Sequence, residues 1–110
     1  MMNPRPDLSI VMPAYNEEHR LAQTLTDTIG WLRKQDLTAE IIIVDDGSRD
    51  STVEIAHSFA NEWPDLQVLV QDRNRGKGAA LRRGCLEARG QHVMFMDADN
   101  ATRVDEINKF

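Results

Sequence analysis

Four short apolar runs, each followed by a polar cluster and then a stretch with helical spacing, constrain this chain more than any other feature. They are "LSIVM" (8–12), "EIIIV" (40–44), "QVLV" (67–70) and "HVMFM" (92–96). Such continuous, often β-branched runs suit strands covered on both faces, as strands in parallel sheets are. Parallel neighbours need long crossovers, and the three intervals are long enough to hold helices.

The first interval, 17–34, carries Leu21, Leu25, Ile29 and Leu32 on one helical face. Glu17 and Glu18 are expected in its first turn, where the helix dipole favours negative charge. The second, 51–63, opens with Ser51 three residues before Glu54, a capping-box signature, and ends at Pro64. The third, 79–89, sets Leu81, Cys85 and Ala88 on one face, with Gly90 as a left-handed terminator. The order β-α-β-α-β-α-β predicts an α/β fold: a mostly parallel sheet with helices on both faces, in one domain over 1–110. "RVDEINKF" (103–110) has the pattern of a helix just beginning, so a longer protein is expected.

A net charge of −5 without a basic stretch argues against nucleic acid as a partner. The single cysteine, Cys85, excludes an internal disulfide framework, is expected as a small buried hydrophobe, and suits a reducing compartment. "MMNPRPDLSI" lacks the core of a secretory signal, and no run approaches the roughly 18 apolar residues of a membrane helix. A cytoplasmic location is expected.

Ligands of open parallel sheets bind beyond the carboxyl ends of the strands. Those ends are "PAYNEE" (13–18), "DDGSRDST" (45–52), "QDRNRGKG" (71–78) and "DADNAT" (97–102), which topology gathers on one rim. Asp45-Asp46-Gly47 is either an ordinary strand-to-helix turn or, since one acid would suffice for that turn, a site where one of the two carboxylates accepts from a nucleobase edge or a ribose. Of Asp97 and Asp99, one is expected to accept a ligand hydroxyl, the other to hold a hard divalent cation bridging phosphate oxygens. The Gly76-Lys77-Gly78 loop fails the Walker pattern, since Gln71 stands where the first glycine is required. It also fails the dinucleotide fingerprint, because Leu81 takes the third glycine position. A loop with Arg73, Arg75 and Lys77 at a helix start remains, either solvated or an anion site. Tyr15 either packs at a strand end or walls a ligand. His19, His57 and His92 lack metal-ligand spacing, and no Ser-His-Asp or Cys-His arrangement is readable.

"VMPAYNEE", "EIIIVDDGSRDST", "RNRGKGAALRRG" and "VMFMDADNAT", in this order, resemble the nucleotide-sugar-binding half of inverting family 2 glycosyltransferases of the GT-A fold. The likeness covers nearly the whole chain from Leu8 and is nearest to dolichyl- and polyprenyl-phosphate β-glucosyltransferases. The resemblance implies the Rossmann-like half of a GT-A fold. It implies a nucleotide-sugar donor, UDP-glucose before GDP-mannose, a lipid-phosphate acceptor met through a part beyond Phe110, and Mg²⁺ or Mn²⁺. Pro13, Tyr15 and Glu17 would border base and ribose, and Asp46, beside Asp45, would accept from the base. Lys77, with Arg73 or Arg75, would lie near base or diphosphate, Asp97 would bind ribose or sugar, and Asp99 the metal. Asn100 departs from the glycine that the resemblance implies at that position. A non-catalytic nucleotide-binding or assembly module of the same fold is the alternative. An incomplete sheet would expose an apolar edge and favour a homo-oligomer. In the full-length protein, the cytoplasmic face of a membrane is the expected location.

Overall fold

The computed structural model describes residues 5–99. Four parallel strands form one sheet: β1 (Leu8–Ala14), β2 (Ala39–Asp45), β3 (Leu66–Val70) and β4 (His92–Phe95). Helices α1 (Leu21–Leu32), α2 (Thr52–Ser58) and α3 (Lys77–Glu87) connect them, α2 continuing into a 3₁₀ turn at Phe59–Asn61. The spatial order is β3-β2-β1-β4. The chain therefore steps outward from β1 to β3 and then crosses back to the far side of β1. The reversal lies between β1 and β4, and the crevice there is where such sheets bind ligands.

The central strands explain why their sequences do not alternate. Ile10, Met12, Ile41 and Ile43 point to the face covered by α1 and α2, against Leu21, Leu25, Ile29, Leu32 and Ala56. Val11, Ile42 and Val44 point to the opposite face, against Ala80 of α3. With both faces covered, every position of β1 and β2 is buried.

Several sequence expectations are corrected. Glu17 and Glu18 precede α1 in a turn, and Leu21 N–H donates to the Glu17 carbonyl to start the helix. Ser51 makes no side-chain cap; Asp50 accepts from the Thr52 N–H at 3.0 Å instead, since an aspartate readily bonds the backbone amide two residues on. α3 begins two residues earlier than the 79–89 pattern suggests, at Lys77. It buries Ala80 and Gly84, while Cys85 is exposed. Close approach, not hydrophobicity, selects that face: a Cβ on Gly84 would stand 2.3 Å from Val11 Cγ1. Gly90 has no positive φ; it abuts Ser9, whose Oγ accepts its N–H at 2.8 Å. Among the described residues β4 is an edge strand, with Val93 and Phe95 39% and 50% exposed, because α3 lies over β1 and β2. The helix pattern at 103–110 lies outside the described residues.

Candidate active site

An open pocket of about 400 Å³ sits at the carboxyl ends of β1, β2 and β4. Its floor is Pro13 and Ala14 at the end of β1, with Ala80 of α3 and the buried Ala98. Its polar groups are Glu17, Asp46, Asn74, Lys77, Asp97 and Asp99, with Tyr15 at the rim.

Side chains of neighbouring segments help to fix the loops around the pocket. After β1 the chain turns through Asn16, at φ 51°, a left-handed conformation that asparagine tolerates. Asn16 N–H donates to Ser48 Oγ at 2.8 Å, and Asn16 Oδ1 accepts from Arg49 N–H at 2.9 Å. Glu17 N–H donates to Thr52 Oγ1 at 2.8 Å, and Glu18 N–H to Asp50 Oδ2 at 3.2 Å. The Thr52 hydroxyl in turn donates to Asp50. The 45–52 segment thus acts as a scaffold for the 15–18 turn.

The two aspartates after β2 divide their work. Asp45, 1% exposed, closes its own turn by accepting from Gly47 N–H, Ser48 N–H and the Ser48 hydroxyl. It does not line the pocket. Asp46, 5% exposed, faces the pocket and reaches across to the loop before α3. Its Oδ1 accepts from Arg75 N–H at 2.8 Å and its Oδ2 from Gly76 N–H at 2.9 Å. Gly47, at φ 83°, lets that loop close, since a Cβ there would meet the Arg73 carbonyl carbon and Asn74 N at 2.8 Å. Each Asp46 oxygen has a second lone pair for a ligand donor.

Lys77, the first residue of α3, reaches over the pocket and pairs with Asp97, Nζ to Oδ1 2.6 Å. That hydrogen bond, and then the Asp97 charge, raise the Lys77 pKa. Asp97 and Asp99 both line the pocket while Ala98 between them is buried. The segment is pinned to α1 and β1: Thr24 Oγ1 donates to the Ala98 carbonyl at 2.9 Å, and Met96 N–H to that of Val11 at 3.0 Å. Burial raises the Glu17 pKa and the Asp99 charge adds to it, against the opposing pull of Arg20 3.1 Å away.

Of the residues singled out from sequence, the pocket brings together Pro13, Tyr15, Glu17, Asp46, Lys77, Asp97 and Asp99. Arg73 and Arg75 stay outside it; Arg75 pairs with Asp72 at 3.2 Å, and the loop offers its backbone to Asp46. Asn74 and the small residues Ala14, Ala80 and Ala98 line the pocket without having been expected. The serine, aspartate and threonine of 48–52 carry a signal for turn closure, since such side chains bond backbone amides two or three residues away.

A hard divalent cation beside phosphates needs only one or two carboxylates, the rest of its shell being phosphate oxygens and water. Asp97 and Asp99 fit that need. Among the described residues no cluster of three or more His, Cys, Asp or Glu forms a complete protein cage.

Comparison with known proteins agrees with this topology. Dolichyl-phosphate beta-glucosyltransferase ALG5A of Trichomonas vaginalis is 46% identical over 105 residues, covering 91% of this chain and 32% of the relative. The chain spans about a third of the length of the curated relatives it matches. Among solved structures, S. aureus TarS 1-349 in complex with UDP-GlcNAc superposes with a TM-score of 0.74 at 31% identity, covering 84% of this chain and 26% of TarS. The mannosyltransferase PcManGT from Pyrobaculum calidifontis, in complex with GDP-Man and Mn²⁺, gives 0.73 at 30% identity, covering 87% of this chain and 28% of its own. Both share the parallel sheet and helices of the GT-A fold. The model of Glycosyl transferase family 2 matches residues 9–110, and the chain belongs to that family.

Proposed function

We propose that the chain is the nucleotide-sugar-binding part of an inverting glycosyltransferase that moves glucose from UDP-glucose to a dolichyl or polyprenyl phosphate. The observation that carries this reading is the pocket at the β1/β4 reversal, where Asp46, Lys77, Asp97 and Asp99 converge. The choice of glucose and of a lipid phosphate leans on the relatives named as dolichyl-phosphate beta-glucosyltransferases. TarS with UDP-GlcNAc and PcManGT with GDP-Man and Mn²⁺ support a nucleotide sugar and a divalent cation.

In this reading Pro13 and Tyr15 wall the base, and Asp46 accepts from its ring N–H while holding the loop above it. Glu17 borders the ribose, Lys77 meets the diphosphate, and Asp97 accepts from a ribose or sugar hydroxyl. Asp99, with Asp97, would hold Mg²⁺ or Mn²⁺, which would neutralise charge on the departing diphosphate. An acceptor phosphate is already anionic near neutral pH, so its oxygen can attack the anomeric carbon without a strong general base. The bond to the diphosphate breaks as the new one forms on the opposite face, and the configuration inverts. Binding and orientation are then the main tasks of these residues, and Lys77 stabilises the charge that develops.

No helix among the described residues is long and apolar enough to cross a membrane. The acceptor's lipid would be met by a further part of the longer protein, at the cytoplasmic face of a membrane. Incubating the full-length protein with UDP-glucose, dolichyl phosphate and Mn²⁺ tests the reading. A β-linked glucosyl phospholipid, formed one for one with UDP, is expected. Hydrolysis of UDP-glucose without transfer, or transfer only of mannose from GDP-mannose, would contradict it.

A further inference from the structure

We propose that Lys77 acts as an ion-pair switch: it holds the Asp97 carboxylate when no diphosphate is present and releases it to a divalent cation when one arrives. The inference rests on the nucleotide-sugar reading and adds a property to it, positive coupling between metal and diphosphate.

Four features support it. First, Lys77 and Asp97 come from different elements, the start of α3 and the segment after β4, and meet across the pocket at 2.6 Å. An ammonium on Asp97 Oδ1 competes for that oxygen's lone pairs and repels a cation approaching the Asp97–Asp99 pair. Second, the side chain can move, being 62% exposed on a long flexible stem. Third, its departure would leave the loop intact. That loop is held by Asp46 through the N–H groups of Arg75 and Gly76, which do not involve the lysine side chain. Fourth, the other charged side chains lining the pocket, Glu17, Asp46 and Asp99, are acids, so Lys77 is the cation of the described lining. A diphosphate entering there offers more negative charge than one carboxylate and draws Lys77 to itself.

The consequence is an exchange of partners. Without diphosphate, a cation meets a carboxylate already neutralised. With diphosphate, Lys77 leaves, Asp97 regains its charge, and the phosphate oxygens add ligands. Metal and diphosphate then each tighten the other's binding by the same factor, as linkage requires. Run in reverse, loss of the metal lets Lys77 return to Asp97, which loosens the remaining diphosphate.

The test measures Mn²⁺ alone by electron paramagnetic resonance of the free ion, on the unmodified chain, Lys77→Gln and Lys77→Arg. UDP is then titrated calorimetrically with Mn²⁺ present. Lys77→Gln is expected to bind Mn²⁺ alone about fivefold more tightly, the size of a half-exposed ion pair. It is expected to bind UDP with Mn²⁺ about tenfold more weakly, having lost a charged contact. Lys77→Arg, which keeps the charge, should retain the weak binding of Mn²⁺ alone. Unchanged or weaker Mn²⁺ affinity in Lys77→Gln, while the unmodified chain binds UDP with Mn²⁺, would overturn the switch alone. Failure of the unmodified chain to bind UDP with Mn²⁺ would overturn the nucleotide-sugar reading as well.

Discussion

Asp46 links the β2 turn to the loop before α3 through two backbone amides, and removing its carboxylate leaves both donors unpaired. Asp46→Ala is therefore expected to lose about 1–3 kcal/mol of stability in urea unfolding. It should also weaken nucleotide binding; an unchanged unfolding midpoint would show that the clasp does not hold the loop. A second buried carboxylate, Glu40 (2% exposed), lies at the opposite end of the sheet. Burial pushes its pKa up, but the Ser9 hydroxyl and the Arg89 N–H and guanidinium outweigh burial and hold it below the ordinary 4.5. With the folded pKa below the unfolded one, the stabilisation is complete above pH 4.5 and is lost as pH falls through the folded value. Glu40→Gln should flatten that acid limb of the stability–pH curve; an identical limb would contradict this assignment. At this scale the sequence exposed identities but not divisions of labour. "DDGS" announced two acids, yet which one closes the turn depends on where Asn74, Arg75 and Gly76 arrive from a distant loop. Arg73 and Arg75 drew notice for their charge, whereas the structure uses the backbone of that loop.

Elements were legible where packing follows hydrophobicity. β1 and β2 are continuous apolar runs because helices cover both faces, and α1 buries the Leu21–Leu25–Ile29–Leu32 stripe. α3 was legible as a helix but not in its orientation. Its inward residues are Ala80 and Gly84, chosen by the room left above Val11 and Val44, and small residues carry little hydrophobic signal. Gly84→Ala should overpack that contact and lower stability by about 1–3 kcal/mol, read from thermal unfolding. A neutral effect would mean that α3 can lift away from the sheet without loss. β4 illustrates the other limit. Its composition suggests burial, but whether a strand is central or at an edge depends on strand order, which no single segment encodes.

For the molecule as a whole, the order β3-β2-β1-β4 puts the reversal beside β1 and gathers the acids of three strand ends around one pocket. The same order leaves β4 paired only with β1 among the described residues, with Val93 and Phe95 exposed beyond the cover of α3. Copies of this chain are expected to associate through that edge, visible as a concentration-dependent sedimentation coefficient and reduced by Phe95→Lys. A monomer at all concentrations would contradict this. The pocket itself makes the more consequential claim, that it is built for a nucleotide sugar and a divalent cation. Calorimetric titration with UDP-glucose and GDP-mannose, with and without Mn²⁺, on the unmodified chain and on Asp99→Ala tests it most directly. Binding of UDP-glucose that requires Mn²⁺ and is lost in Asp99→Ala is the expected result. Binding that ignores both the metal and the substitution, or no binding of either donor, would contradict it.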